Sequence, residues 1–424
     1  MNRIKKFLKI LGPGIITGAA DDDPSGIATY SQTGAQFGYG QLWTAFLILP
    51  FQTAVQEACA RIGAVTGKGI AAVIKQNYSR TILWLVVGLI VIANTINIGA
   101  NIAAMAAATE LLLPVNKLWL AIGFTSLILY LEVFLSYRNY ARILKWLALS
   151  LLAYPLTVFM VQHPWLQVFK ATFIPHMEWS FQWLFIITGV LGTTISPYMF
   201  FWQAAEETEE ERMQHLLVGN SKPHINWRFI HNLRLDTIVG MLFSQIGAWA
   251  IILVAATVLN GNGITDIKTA ADAAKALEPL VQTFPNAGFM AKLLFSIGVI
   301  GLGLLSIPIL AGSAAYALTE ALGVKEGLNL KFKKAHGFYG TIIFATVIGL
   351  LMNLLGIDPI KALVYTAVIN GVVAVPLIWF IATISANEKI MGKYASGWIS
   401  KTLLWLTFLI MGGTAAGMLL VNYF

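Results

Sequence analysis

Three consecutive carboxylates, Asp21, Asp22 and Asp23, are followed by Pro24, Ser25 and Gly26 inside an apolar run covering residues 8–43. Aspartate at bilayer depth costs about 2.5–3.5 kcal/mol on insertion scales, so it normally faces a cavity, a partner or a bound cation. Pro24 lacks an N–H and clashes with the preceding turn, while Gly26 relaxes the backbone. A helix broken there frees carbonyls and N–H groups, which a membrane tolerates only where they line protein or a water-filled site. The stretch is expected to be a broken helix that holds a charged solute. At least one of the acids is also expected to cap the second half-helix.

A second interruption, Gly192-Thr193-Thr194-Ile195-Ser196-Pro197, echoes the first from the other half of the chain. The hydroxyls of Thr193 and Ser196 either line the site or merely satisfy broken backbone beside Pro197. Asn94, Asn97 and Asn101 fall on one face of a helix and read as hydrogen-bonding glue between helices, with Asn97 a further candidate for the site. Asn370 is a candidate of the same kind. The run Glu206–Glu211 reads as a solvated helix end, with a cation-attracting mouth as the minority alternative. The six histidines sit mostly in loops with no metal-ligand spacing, and Pro308 and Pro376 are expected to mark kinks.

The elements that position these residues are membrane spans. Of the 424 residues, 57% are hydrophobic and 11% charged, against about 25% charged in soluble proteins. Mean hydropathy is +0.72. Apolar windows of about 20 residues, the length that crosses hydrocarbon, recur along the chain. Hydropathy and helix breakers give eleven spans: residues 10–39, 43–66, 82–113, 118–135, 143–161, 183–206, 235–259, 289–322, 338–355, 360–384 and 403–422. With the N-terminus inside, 22 of the 28 Lys and Arg residues fall on cytoplasmic segments. The other six, Lys117, Lys170, Lys268, Lys275, Lys292 and Lys361, fall at or near the outer side. The bias places the N-terminus in the cytoplasm and the C-terminus outside, in a multi-pass protein of the cytoplasmic (plasma) membrane.

The lysines and arginine of the N-terminal tail, with no small-residue cleavage site after them, form a cytoplasmic flank and not a cleaved signal. The outer stretch from His163 to Trp179 reads as a connection, and Thr269 to Gln282 as a short amphipathic helix. Cys59 is the only cysteine, which excludes internal disulfides and thiolate metal clusters; it reads as a small buried hydrophobe.

Span one leaves the cytoplasm and span six enters it, so the two breaks lie in halves of opposite topology. Interrupted segments at matching positions point to an inverted-repeat transporter and to its binding site. The expected fold is all-α and polytopic, a single integral membrane domain over residues 1–424. Its repeats cover about residues 8–162 and 181–386, with an extra helix at 403–422, and helices 1 and 6 are broken.

Gly12-Pro13-Gly14 followed by Asp23-Pro24-Ser25-Gly26 resembles the first helix of the NRAMP family of divalent-metal transporters, which reads GPG and then DPGN. Gly192-Thr193-Thr194-Ile195-Ser196-Pro197-Tyr198 is similar to the family's sixth-helix pattern, roughly GATVMPH. The resemblance implies a LeuT-like fold, alternating access and a midplane metal site. It places the principal ligand at Asp23, with backbone carbonyls such as that of Ala20 and added charge from Asp21 and Asp22. The family's Asn ligand is Gly26 here, its Met ligand is Ser196, its motif histidine is Tyr198 and a second histidine is Gln203. Without a thioether, the remaining carboxylate, hydroxyl and carbonyl oxygens suit Mg²⁺, Mn²⁺ or Ca²⁺. The acidic residues by which the family relays protons along its third helix are absent between Arg80 and Thr109, as are its ninth-span arginines between Phe338 and Leu355. Uncoupled, gradient-driven uptake is therefore expected.

The alternative is a carrier of a small organic amine or carboxylate on the same fold, held by half-helix ends. A receptor or structural membrane protein is a weaker third reading. No nucleophile–base pair, phosphate loop or metal triad supports an enzyme. The expected partners are the transported ion or solute and the lipid bilayer. No cofactor, nucleic acid or obligatory protein partner is implied.

Overall fold

The computed structural model describes residues 17–18, 20–134, 152–213, 215–217, 223–328 and 330–421, and every regular element among them is helical. The GPG string, the N-terminal lysines, the start of span five with Arg138, Arg142 and Lys145, and Lys222 lie outside the described residues.

Helix α1 (Pro24–Phe37) begins at an Asp23 cap whose carboxylate accepts from the Gly26 N–H at 3.0 Å. Pro24 takes the first helical position, where a missing N–H costs nothing. Residues 20 and 21 are helical and 22–23 are not, so the first span is broken at the carboxylates. The 14 residues of α1 reach only about 21 Å, short of the ~30 Å hydrocarbon layer. Then come α2 (Trp43–Thr66), α3 (Ile70–Asn77), α4 (Arg80–Glu110), α5 (Lys117–Phe134), α6 (Ala153–Met160) and α7 (Trp165–Phe173).

The second break separates α8 (Phe181–Thr194) from α9 (Pro197–Met213). After it follow α10 (Trp227–Val258), α11 (Ala270–Ala274), α12 (Glu278–Val281), α13 (Ala287–Leu322), α14 (His336–Met352), α15 (Pro359–Ala386), α16 (Glu388–Met391) and α17 (Trp398–Leu420). Eight described helical stretches are long and apolar enough to cross a membrane: α4, α5, α8 with α9, α10, α13, α14, α15 and α17.

Several expectations need adjusting. The outer stretch from His163 contains a helix, α7, where a plain connection was expected. The amphipathic segment 269–282 is split into α11 and α12 by a short 3-10 turn ahead of Pro279. Pro308 and Pro376, expected to mark kinks, lie inside the continuous helices α13 and α15, as Pro50 lies inside α2.

Packing divides the helices into two groups. Helices α1 and α2 pack on α10, and α2 also on α9; α4 packs on α13 and α14; α15 bridges, touching α1, α4 and α8. Two glycines allow the first group to close up. A Cβ on Gly34 would lie 2.3 Å from Ile252 O, and one on Gly63 would lie 2.2 Å from Ala204 O, so α1–α10 and α2–α9 approach backbone to backbone. These two contacts exchange under a two-fold relating span one to six and two to seven, as inverted repeats require.

A cluster of polar side chains is buried inside the apolar core, while large apolar side chains cover the outside. Asp21, Asp22, Asp23, Gln52, Asn97 and Asn101 have no exposure, whereas Phe159 is 80% and Trp119 68% exposed. That inversion suits lipid and would be untenable in water.

Arg61, one of the 22 cationic residues assigned to cytoplasmic segments, lies within α2 and is fully buried. Its guanidinium grips Glu57 with two bonds of 2.9 and 3.0 Å and donates to Tyr394 O and Ser396 Oγ. Arg234 on α10 donates to the same Glu57 at 2.8 Å. This network ties α2 to α10 and to the connection before α17. Arg61→Ala leaves Glu57 and two further acceptors behind and is expected to destabilise the protein by about 3–5 kcal/mol. Lys at this position restores little, because the contact is bidentate. Melting of detergent-purified variants followed by size exclusion checks this; a wild-type melting temperature in Arg61→Ala contradicts it.

Candidate cation site

Asp23 stands in the gap between the two half-helices of span one, fully buried. One carboxylate oxygen accepts from Ser25 Oγ at 2.5 Å and Gly26 N at 3.0 Å. The other accepts from Asn101 Nδ2 on α4 at 3.1 Å. The two breaks meet here. Ser25 Oγ is 3.4 Å from Thr193 Oγ1, Tyr30 Oη is 2.8 Å from Thr194 Oγ1, and Tyr198 Oη donates to Ala20 O at 3.2 Å. A Cβ on Gly26 would press on Thr193 Oγ1 at 3.3 Å, so the small residue keeps the breaks together.

The three carboxylates diverge. Asp23 turns toward α4, whereas Asp21 and Asp22 turn toward α2 and α10. Asp21 accepts from Gln52 Nε2 and from Ser244 Oγ at 2.8 Å, and Asp22 is 3.4 Å from the same hydroxyl. Gln52 in turn accepts from Gln245 Nε2 at 2.7 Å. One oxygen of Asp21 and one of Asp22 have no hydrogen-bond partner. Among the described residues no Lys, Arg or His forms an ion pair with any of the three acids. Nor does any group of three His, Cys, Asp or Glu side chains converge as a metal cluster among them. The gap therefore offers one carboxylate, Asp23, surrounded by neutral oxygen and amide groups.

The remaining candidates fall into place as follows. Ser196 Oγ donates to Gly192 O at 2.9 Å and Thr193 O at 2.6 Å, closing the end of α8, so its hydroxyl serves the broken backbone. Gln203 accepts from Thr17 Oγ1 and donates to Glu207 within α9, tying the first half of span one to the second half of span six. Asn97 and Asn370 are buried with both carboxamide atoms unpartnered, and neither is hydrogen-bonded to the break.

The glutamate run is not a solvated end. Glu207, Glu209 and Glu211 are buried because α9 is wedged between α2 and α13. Glu209 accepts from Tyr316 Oη and from Leu328 N at 2.8 Å.

Sequence reasoning missed Gln52, Ser244 and Gln245, isolated polar residues whose facing helices only the packing supplies. It named Asn101 but gave it no part in the site, although its place on the Asn94–Asn97 face was the available signal.

Two broken helices meeting around a buried, uncompensated carboxylate define a multi-pass membrane transporter. The sequence profile of the Nramp family, described as natural resistance-associated macrophage protein-like, matches residues 14–421, and the chain belongs to that family. It is 27% identical to the divalent metal cation transporter MntH of Klebsiella pneumoniae, over 92% of this chain and 88% of that protein. Its identity to the MntH of Ralstonia nicotianae is also 27%, over 96% of this chain and 89% of the relative. The structure of the Eremococcus coleocola manganese transporter superposes with a TM-score of 0.76 at 16% identity, covering 97% of this chain and 86% of the other. Mhp1, a nucleobase-cation-symport-1 family transporter, gives 0.59 at 13% identity, covering 96% and 92%. The fold is thus LeuT-like, with broken helices 1 and 6, and the protein is a transporter and not an enzyme.

Removing the uncompensated charge relieves the empty protein. Asp23→Asn is expected to stabilise the metal-free protein at neutral pH by about 1–3 kcal/mol while abolishing any gain in melting temperature on adding divalent cation. A wild-type protein at a hundredfold excess over Kd gains about 2.7 kcal/mol. Equal divalent-induced shifts in wild type and Asp23→Asn contradict this assignment of Asp23.

Proposed function

We propose that this chain carries a divalent metal cation across the cytoplasmic membrane by alternating access, with hard ions such as Mg²⁺, Mn²⁺ and Ca²⁺ favoured. The observation that carries the reading is the fully buried Asp23, held between two helix breaks with no ion-pair partner among the described residues. The names of the relatives, divalent metal cation transporters, support the class of solute. They give no support to the organic-solute alternative.

The selectivity follows from the donors. Oxygen ligands suit Mg²⁺, Ca²⁺ and Mn²⁺, whereas thioether and thiolate select softer metals. No Met or Cys faces Asp23 through a hydrogen bond; Ser196 stands where a thioether would, and its hydroxyl is taken up by backbone. Thr193 and the Ala20 carbonyl are the neighbouring oxygens, and Tyr198 covers the latter until an ion claims it. Asp21 and Asp22 lend negative potential from the α2–α10 side. The two packing groups, α1, α2, α9 and α10 against α4, α13 and α14, supply the bodies that rock about the site.

Energetically, uptake needs no proton. Helix α4 carries no carboxylate before Glu110, and α14 carries no arginine. With the N-terminus in the cytoplasm and the C-terminus outside, an inside-negative potential of 100 mV drives a divalent cation inward with about 4.6 kcal/mol.

Proteoliposomes loaded with fluorescent indicator test this. Influx of Mg²⁺, Mn²⁺ and Ca²⁺ is expected to rise with an inside-negative potassium-diffusion potential, to be indifferent to a pH gradient at zero potential, and to vanish in Asp23→Ala. Absence of flux for all three ions overturns the reading, and flux driven by pH alone overturns the uncoupled mechanism. Tyr198→Phe frees the Ala20 carbonyl of a hydrogen bond worth about 0.5–1.5 kcal/mol and is expected to tighten Mn²⁺ binding roughly two- to tenfold. Unchanged or weakened binding in calorimetry contradicts a role for that carbonyl.

A further inference from the structure

Asn101 is fully buried and held from one side only. Its Nδ2 donates to Asp23 Oδ2 at 3.1 Å and to Ser306 Oγ on α13 at 3.3 Å, which uses both amide hydrogens. Its carbonyl oxygen Oδ1 has no partner at all. A buried acceptor left unmade costs about 1–3 kcal/mol, so such an atom beside an uncompensated carboxylate calls for an explanation. Its place beside that carboxylate is what calls for one. The donor half of the amide already makes both contacts that glue requires, and a hydrophobe at this position would spare the orphaned oxygen.

Asn94 and Asn97 sharpen the contrast. Asn94 Nδ2 donates to Leu310 O at 2.9 Å and ties α4 to α13 with its own Oδ1 likewise unpartnered, so the orphaned oxygen of Asn101 carries weight through its place beside Asp23. Residues 94, 97 and 101 share one face of α4, since positions three and four apart are neighbours on a helix. Of the three, only Asn101 touches the carboxylate.

We propose that Asn101 Oδ1 is a direct ligand of the transported cation, paired with Asp23. The proposal rests on the metal-carrier reading above. The amide replaces from α4 an oxygen that Gly26, with no side chain, does not supply from the break itself. Its NH₂ group orients the carboxylate while its oxygen completes a hard donor pair, and the hydrogen bond between them fixes the two ligands relative to each other. A cation arriving between them takes up the free lone pairs of both residues without displacing any protein donor from Oδ1.

A ligand swap separates this role from mere positioning. Purified full-length protein in detergent is titrated with Mg²⁺, Mn²⁺ and Cd²⁺ by calorimetry, as wild type, Asn101→Leu, Asn101→Asp and Asn101→Cys. Asn101→Leu is expected to lose about 10–100-fold in Mn²⁺ affinity. Asn101→Asp, which cannot donate to Asp23 but does offer oxygen, is expected to bind Mn²⁺ at least as tightly as wild type. Asn101→Cys is expected to raise the Cd²⁺-to-Mg²⁺ affinity ratio by more than about tenfold, because thiolate is a soft ligand. If Asn101 only positions Asp23, Asn101→Asp binds as poorly as Asn101→Leu and the cysteine leaves the ratio unchanged; either result overturns the proposal. Wild type that binds none of the three ions overturns the metal-carrier reading itself, an outcome distinct from the other two.

Discussion

The carboxylate of Asp23 accepts three hydrogen bonds, from Ser25, Gly26 and Asn101, yet forms no ion pair with a positive side chain among the described residues. Hydrogen bonds hold a buried charge in position, but they do not neutralise it, and an unpaired ion in a low-dielectric interior is strongly disfavoured. The surrounding fold can be read as the means of keeping that charge in place. Pro24 starts α1 where the acid ends the preceding turn, so the break is fixed by covalent geometry. The positive end of a half-helix then lies beside the negative group. Ser196 closes the end of α8 so that the second break costs no orphan carbonyls where the two meet.

Keeping two breaks in register demands close packing elsewhere. Helices of ordinary residue composition pack with axes about 8–10 Å apart, and glycine at a crossing lets them come closer. Gly34 of α1 against α10 and Gly63 of α2 against α9 bring the broken spans to their partners at backbone distance. Gly192 does the same toward α15, where a Cβ would come within 2.0 Å of Ala367 O. Small residues at these crossings are therefore part of the site, although none touches the solute.

The sequence displayed the parts that depend on local chemistry. Apolar length, the Lys/Arg bias and the Gly/Pro interruptions are properties of the chain itself, so the spans, the breaks and Asp23 could be read directly. What depends on the facing helix could not. Asn101 and Asn94 look alike in a string, and only the neighbour across the interface makes one a site residue and the other a strut. Three successive aspartates looked like one cluster, but at about 100° per residue, and across an unwound turn, they must point to different neighbours. The glutamates of α9 misled for a related reason. Charge predicts solvent on average, yet burial is decided by α2 and α13, and Tyr316 supplies the donor that makes it tolerable.

Two kinds of buried charge can thus be told apart in one molecule. Glu57 meets Arg61 bidentately and Arg234 as well, and Arg61 finds two further acceptors. That network is closed around its acid: Glu57 is compensated by two guanidiniums within the protein, and no outside cation is needed to complete it. Asp23 is the reverse case, with geometry supplied and charge left open. A closed network earns nothing from binding a cation and resists being pulled apart, which suits a joint between α2 and α10. An open one is costly when empty and relieved when filled, and that difference in free energy is what lets a solute shift the balance between two arrangements of the same helices. Several buried acids lack an ion pair among the described residues, Glu132 and Glu211 included, so completeness alone does not single out Asp23; what sets it apart is its position where the two helix breaks meet.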